Sequence, residues 1–189
     1  MAFVQRIIFR SSEQYKPGDV VIKKEDIAER IKELALDIAK DFAGKRLLVI
    51  GILKGAFILT ADLARELHTA GLTDFEVSFM TVKSYRAGTT SSGVPDIKND
   101  LDIDCRNRGM LLVDDIFDTG KSIQAIHKKL IEQGARSVKS LVLLSKPGRK
   151  EVSYTPDYVG FSIPNLWVEG YGMDTNEYGR GEPNIIIGV

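Results

Sequence analysis

The chain has 189 residues, enough for one domain with a sizeable core, and its 43% hydrophobic and 28% charged residues exclude intrinsic disorder. The 26 basic and 26 acidic residues cancel, so overall charge does not favour a nucleic acid or a membrane surface as a partner. Cys105 is the single cysteine, which rules out an internal disulfide and is typical of a reducing compartment. Because the sequence shows neither a signal-peptide pattern nor an apolar run of roughly 18 residues, we expect a cytoplasmic protein.

The first half of the sequence alternates between apolar strands and amphipathic helices. Residues 1–17 form an arm that ends at the turn signal Pro17–Gly18. In the helices, apolar residues recur in steps of three and four, and a glycine follows each helix. The predicted elements are a short strand from Asp19 to Lys23, a helix from Lys24 to about Ala43, a buried strand from Leu47 to Leu53, a helix from Ala56 to about Ala70, and a strand from Phe75 to Ser84.

Residues 85–104 interrupt this alternation. The segment from Tyr85 to Pro95 is rich in glycine, serine and threonine and has no helical or strand period. A loop of this length inside a compact domain is usually functional or disordered. Its composition fits a lid that closes over a ligand and a mobile surface hairpin equally well.

The alternation resumes at Met110. The apolar run from Met110 to Val113 predicts a strand buried on both faces, which should end at Asp114 and Asp115. The sequence as a whole predicts an α/β fold with a mostly parallel central sheet and helices on both faces. The remaining elements are a helix from Lys121 to Gln133 with Ile123, Ile126, Leu130 and Ile131 facing inward, and strands from Ser137 to Leu144 and from Tyr158 to Ile163.

Three polar turns follow strands of this predicted sheet. They are Leu53–Gly55, Asp114–Ser122 and Ser145–Lys146. Ligands of open α/β sheets bind outside the carboxyl ends of the strands. We therefore expect the three turns to meet at one edge of the sheet and to form the functional site.

The turn after Met110–Val113 has the composition of a phosphate site. Backbone N–H groups at the start of a helix and the hydroxyls of Thr119 and Ser122 suit an anion, and Gly120 permits a close approach. Asp114 and Asp115 would repel a phosphate unless sugar hydroxyls or a hard cation such as Mg²⁺ intervened. The residues favour a site for a sugar phosphate and a metal ion; the alternative is an ordinary turn whose acids are solvated or cap the helix.

The chain changes character after Pro164. Residues 164–189 contain the only tryptophan and several glycines, and we expect them to form a small hood over the edge of the sheet. Trp167 fits two roles, stacking on a flat heterocycle or filling the hood's own core, and the residues by themselves favour the core. We expect a single domain of residues 1–189, with a core of about 19–163 and a hood of about 164–189 that includes part of the N-terminal arm.

Val113–Ser122 resembles the phosphoribosyl-pyrophosphate motif of type I phosphoribosyltransferases. Nearly the whole chain resembles the hypoxanthine-guanine branch of that family, because several motifs occur in the same order at suitable spacing. These are Leu53–Gly55, Ser84–Tyr85, the motif itself, Ser145–Pro147, and Trp167–Val168 through Asp174 to Arg180. The resemblance implies the type I fold and, because the family is dimeric or tetrameric, a homo-oligomer.

The resemblance also implies a Mg²⁺-dependent glycosyltransferase of purine salvage. Such an enzyme moves the 5-phosphoribosyl group from phosphoribosyl pyrophosphate to N9 of hypoxanthine or guanine, giving IMP or GMP and pyrophosphate. Asp118 is then implied as the general base or proton relay at purine N7. The residues implied to bind the phosphoribosyl group are Asp114, Asp115, Ile116, Phe117, Thr119, Gly120, Lys121 and Ser122.

The other site residues follow from the same resemblance. Lys54 and Gly55 would form a pyrophosphate-binding turn, often with a non-proline cis peptide in this family, and Arg180 would add a second cation. Mg²⁺ would contact Asp114, Asp115 and Asp174. The purine would be bound by Lys146, Trp167, Val168 and Asp174, under a lid that contains Ser84 and Tyr85.

The sequence differs from the family pattern at two positions, and two alternative functions remain. The family usually has Glu-Asp where this chain has Asp114–Asp115, and more often Phe or Tyr in place of Trp167. One alternative is a regulator with the same fold that binds the sugar phosphate or nucleotide without chemistry. The other is a phospho-receiver domain. In that fold the acidic pair would lie at the end of the first strand, whereas here it follows two strand–helix units.

Overall fold

The computed structural model describes residues 6–7, 15–83, 96–97 and 104–188. Within them the elements alternate as the sequence predicts. The helices are α1 (Lys24–Asp41), α2 (Phe57–Thr69) and α3 (Lys121–Glu132). The strands are β1 (Arg6–Ile7), β2 (Val20–Ile22), β3 (Leu47–Leu53), β4 (Phe75–Lys83), β5 (Asp96–Ile97), β6 (Gly109–Phe117), β7 (Ser137–Ser145), β8 (Tyr158–Ser162), β9 (Val168–Glu169) and β10 (Ile185–Ile187).

The main sheet has seven strands in the order β1-β8-β7-β6-β3-β4-β5. Its five longer strands, from β8 to β4 in that order, are parallel, and the two-residue β5 pairs antiparallel with β4 at the edge. The carboxyl ends of the five parallel strands therefore lie along one edge. This confirms the predicted α/β fold with a mostly parallel sheet.

Two hydrophobic cores lie on opposite faces of the sheet, because side chains alternate along each strand. Leu47 and Val49 of β3 pack in the core formed with α1 and α2. Leu48 and Ile50 pack in the core on the α3 side. From α3, the buried residues are Ile123, Ile126 and Leu130, whereas Ile131 is 45% exposed, so its predicted inward position is wrong. Ile131 lies off the stripe that steps of three and four define.

Strand β6 continues further than the sequence predicts. Asp114 and Asp115 lie inside it, and it ends only at Phe117. Pairing with β3 stops at Val113, opposite Gly51, whereas pairing with β7 continues to Phe117. The two acids therefore lie at the carboxyl edge of the sheet, on a part of β6 that is hydrogen-bonded to a neighbouring strand on one side only.

A second sheet of three strands, in the order β2-β10-β9, forms the hood. Val20–Ile22, assigned above to the core range, pairs with β10 in this hood. Arg6–Ile7 of the N-terminal arm pairs instead with β8 of the main sheet. A three-residue strand has no periodicity that identifies its partner, so the sequence did not predict this pairing. No helix in the described part of the chain is long and apolar enough to span a membrane.

Candidate active site

The three polar turns meet at the carboxyl edge of the main sheet, as expected. Gly55, after β3, lies so close to the Asp115 carboxylate that any side chain on Gly55 would collide with it. The Lys146 N–H, after β7, donates to the Phe117 carbonyl at 3.0 Å. These contacts join turns from three strands into one site.

The phosphate turn precedes α3. Gly120 has φ 83° and would collide with Phe117 and Val152 if it carried a side chain, so the turn requires glycine. The Lys121 N–H faces Thr119 Oγ1 at 3.5 Å, and the Lys121 ammonium pairs with Glu151 at 2.5 Å. The N–H groups of the first turn of α3 have no partner within a helix, which suits an anion.

The other residues of the motif differ in how they face the site. The side chain of Phe117 is buried in the α3-side core, at 6.5 Å from the Tyr154 ring, and Ile116 packs partly against the opposite core. Thr119 and Ser122 are half-buried. Phe117 and Ile116 therefore shape the turn through their packing.

The two acids of the motif are held close together. The Asp115 N–H donates to the Asp114 carboxylate at 3.0 Å, and the Ile116 N–H donates to the Asp115 carboxylate at 3.0 Å. Burial raises the pKa of Asp114 well above its ordinary value, and the neighbouring Asp115 charge raises it further. Burial also raises the pKa of Asp115. Sugar hydroxyls or a cation would relieve this unfavourable pairing of charges.

The carboxylates at this edge suit a Mg²⁺ ion whose other ligands come from substrate phosphates and water. The described residues contain no group of three or more side chains that would hold a metal ion by themselves. Mg²⁺ usually takes one or two protein carboxylates together with waters and substrate phosphates, so the adjacent Asp114 and Asp115 are sufficient. Asp174 already pairs with Arg180 at 2.7 Å and accepts the Glu177 N–H at 2.8 Å.

Lys146 and Asp118 lie at the ends of neighbouring strands. Lys146 is only 7% exposed, and burial lowers its pKa, an effect that the nearby Asp118 and Asp115 carboxylates oppose. Asp118 is half-buried and accepts a hydrogen bond from Arg149 Nε at 2.9 Å. A buried ammonium donor and a carboxylate acceptor are therefore close enough to interact electrostatically at the edge of the sheet.

A cluster of charges lies where the hood meets the β3 turn. The Leu53–Lys54 peptide bond is cis, as the resemblance implied. The Lys54 ammonium and the Arg180 guanidinium both bind the Glu177 carboxylate, each at 3.0 Å. Arg180 also donates to the Gly172 carbonyl at 2.8 Å. The two predicted pyrophosphate cations are thus brought together, 126 residues apart in sequence.

Trp167 directly precedes the hood strand β9, which begins at Val168. The Trp167 side chain is 57% exposed, so the prediction that it fills the hood's core is wrong. Its indole N–H donates to Thr175 at 2.8 Å, which fixes the ring on the surface of the hood. Val168 is buried and pairs with Ile187 of β10. Ser84 and Tyr85, the predicted lid residues, lie outside the described residues.

Two residues of the site were missed from the sequence. Arg149 binds Asp118, and Glu177 joins Lys54 to Arg180. Arg149 shares a turn with Lys146, since its N–H donates to the Lys146 carbonyl at 2.9 Å, and that closeness in sequence was an available signal. Glu177 lies three residues from Arg180, so the same signal was available for that pair, whereas its contact with Lys54 joins residues 123 positions apart and had none.

Comparison with known proteins agrees with this geometry. The sequence matches the family described as "Phosphoribosyl transferase domain" over residues 21–176. A hypoxanthine-guanine phosphoribosyltransferase of Aquifex aeolicus (strain VF5) is 41% identical over 169 residues, 89% of this chain and 93% of that protein. One of Streptococcus pneumoniae (strain ATCC BAA-255 / R6) is 40% identical over 166 residues, 88% of this chain and 90% of that protein. The crystal structure of a hypoxanthine phosphoribosyltransferase from Staphylococcus aureus is 34% identical, with a TM-score of 0.85 and 96% of each chain covered.

Together with the parallel sheet and the phosphate turn, these matches define the class: the chain belongs to the phosphoribosyltransferase family. Its branch is that of the hypoxanthine-guanine phosphoribosyltransferases, as the resemblance of its motifs predicted.

Proposed function

We propose that the protein is a purine salvage enzyme that transfers the 5-phosphoribosyl group from phosphoribosyl pyrophosphate to N9 of hypoxanthine or guanine. The observation that carries this proposal is the convergence of Lys146 and Asp118 beside the phosphate turn. A regulator that only binds the sugar phosphate has no need of a buried amine next to a carboxylate. The family membership supports the same reaction.

The phosphoribosyl group is bound by the motif of β6 and α3. Thr119, Gly120, Lys121 and Ser122 surround the 5-phosphate, whose charge the N-terminus of α3 stabilises. Asp114 and Asp115 accept hydrogen bonds from the ribose hydroxyls. Ile116 and Phe117 hold the strand end in place through their packing.

The purine lies between the edge of the sheet and the hood. Lys146 donates to O6, which favours a 6-oxopurine over adenine, whose 6-amino group is itself a donor. Asp118 accepts the proton of N7 while N9 bonds to the ribose. Trp167 stacks on the base, and Val168 and Asp174 contact its edge. The lid with Ser84 and Tyr85 excludes water, which would otherwise hydrolyse the activated ribose.

The leaving pyrophosphate lies against Lys54, Gly55 and Arg180. Asp114, Asp115 and Asp174 are the residues that would hold Mg²⁺, which when bound would neutralise negative charge on the leaving group. Arg180 donates two N–H groups to adjacent phosphate oxygens, which a lysine does not do.

We further propose a cytoplasmic homo-oligomer with one domain per chain. Val77 and Phe79 are each 43% exposed on the same face of β4, and Phe57, the first residue of α2, is 41% exposed. Large apolar side chains that expose this much surface next to one another are typical of an interface.

The test is turnover of hypoxanthine, guanine, xanthine and adenine with phosphoribosyl pyrophosphate and Mg²⁺. We expect turnover of hypoxanthine, guanine or both, and none of adenine. Asp118→Asn should lower kcat by about 10²–10⁴-fold, the usual loss when a general acid or base is removed. Asp104→Asn is the matched control, since Asp104 is also paired with an arginine but lies on an exposed turn.

Two results would contradict the proposal. Binding of phosphoribosyl pyrophosphate without turnover of any base would identify the protein as a regulator. Turnover of adenine alone would be consistent with the phosphate site but would refute the role of Lys146 as a donor to purine O6.

A further inference from the structure

We propose that Glu177 is an internal competitor for pyrophosphate: its carboxylate pairs with the two cations that the proposed function assigns to pyrophosphate, and it pairs with them again as the product leaves. The proposal rests on the proposed function, because that function assigns Lys54 and Arg180 to the leaving group.

The geometry of the carboxylate carries the proposal. One oxygen of Glu177 lies 3.0 Å from the Lys54 ammonium and 3.0 Å from the Arg180 guanidinium. A phosphate oxygen between these two cations would make the same pair of hydrogen bonds. Hydrogen bonds from Arg180 and then from Lys54 hold the pKa of Glu177 below its ordinary value, so its charge is present at neutral pH.

The hood backbone presents Glu177 in this position. Asn176 and Glu177 have φ values of 53° and 70°, a left-handed conformation that residues other than glycine adopt at a cost. The turn is closed by hydrogen bonds of 3.1 and 3.0 Å between Thr175 and Tyr178 and by the Glu177 N–H on Asp174. The turn is therefore fixed, whereas the Glu177 side chain is 65% exposed and free to swing into solvent.

Arg180 does not depend on Glu177 for its position. Its guanidinium also binds Asp174 at 2.7 Å and the Gly172 carbonyl at 2.8 Å, and it is mostly buried. Removing the charge of Glu177 thus leaves Arg180 in place and removes one negative charge from the edge of the pyrophosphate site. We therefore expect pyrophosphate to bind more tightly. If Glu177 only positioned the two cations, removing its charge would weaken pyrophosphate binding instead.

The expected effect is tighter binding of the polyanion. In Glu177→Gln, both the KM for phosphoribosyl pyrophosphate and the inhibition constant of pyrophosphate should fall by about two- to tenfold, the range for losing one or two exposed ion pairs. The kcat should not rise, because the product then leaves more slowly. The difference should shrink as ionic strength is raised, since screening weakens exposed charges.

The experiment measures pyrophosphate binding with Mg²⁺ by calorimetry, and pyrophosphate inhibition of turnover, for the wild type and Glu177→Gln at two salt concentrations. Glu132→Gln is the matched control, because Glu132 is equally exposed, pairs with Lys128, and lies at the far end of α3. Weaker or unchanged pyrophosphate binding in Glu177→Gln would overturn the proposal and make Glu177 a positioning or neutral residue. Wild-type protein that binds no pyrophosphate would instead refute the proposed function.

Discussion

Trp167 shows how a side chain acquires a role from its surroundings. The indole N–H is satisfied by Thr175, and the ring packs against Gly188, where a side chain would collide with it. These contacts hold the ring at the surface of the hood with more than half of its area exposed. A rigid, exposed aromatic face suits a planar purine, because stacking requires little loss of side-chain freedom.

Replacing Trp167 by alanine should raise the KM for hypoxanthine by about tenfold or more, since base stacking is worth about 1–3 kcal/mol. Trp167→Phe should retain most of the affinity, because phenylalanine also presents a flat face. Steady-state kinetics and thermal unfolding of both variants are the measurements. A large fall in Tm with an equal loss of affinity in both variants would show that Trp167 serves the structure of the hood instead.

At the scale of elements, helix α1 completes the edge of the main sheet. Arg30 is 5% exposed and donates to the Gly160 and Val159 carbonyls of β8 at 3.0 and 2.9 Å. In the described residues, β8 pairs with β1 only at Phe161 and Ser162. The guanidinium thus satisfies carbonyls at the part of β8 that β1 does not reach, which a buried sheet edge requires.

Arg30→Met should lower the free energy of unfolding by about 2–5 kcal/mol, because two carbonyls lose a buried donor at about 1–3 kcal/mol each. The measurement is urea-induced unfolding, with an unchanged m-value as the sign that the fold is the same. Glu33→Gln is the control. It removes only the negative charge of a half-exposed partner of Arg30 and should cost less than about 1 kcal/mol. Equal effects of the two changes would contradict the role of Arg30 at the sheet edge.

At the scale of the whole molecule, the two faces of the main sheet are covered unevenly. Helices α1 and α2 cover one face up to β3, and Val77 and Phe79 of β4 extend beyond them. Phe79 also lies against Gly51, so its ring is held in place on that side. Among the described residues, the helices leave these apolar side chains of β4 exposed.

In the proposed homo-oligomer, Val77→Glu should shift the protein to a monomer, because a buried, unpaired carboxylate is costly in an interface. Sedimentation velocity at several protein concentrations is the measurement. Leu36→Glu provides the matched control, since Leu36 is 46% exposed and lies on α1. A wild-type protein that sediments as a monomer would refute the proposed assembly.

The sequence was sufficient to predict most elements of the fold. Strand β3 begins and ends as predicted, and α1, α2 and α3 end within two residues of their predicted limits. These predictions succeed because buried runs, helical periods and glycine stops are local properties of the chain. The polar turns of the site were found for the same reason, since each follows a recognisable strand.

Tertiary structure decided what local patterns do not contain. Strand β6 continues through Asp114 and Asp115 because β7 extends beyond β3, which depends on the relative lengths of neighbouring strands. Glu177 meets Lys54 across 123 residues because the hood packs on the β3 turn. The sequence by itself determined which chemical groups the edge of the sheet carries. Only the packing of the sheet and the hood determined which of those groups pair, because ion pairs form between residues that folding brings within a few ångströms of each other.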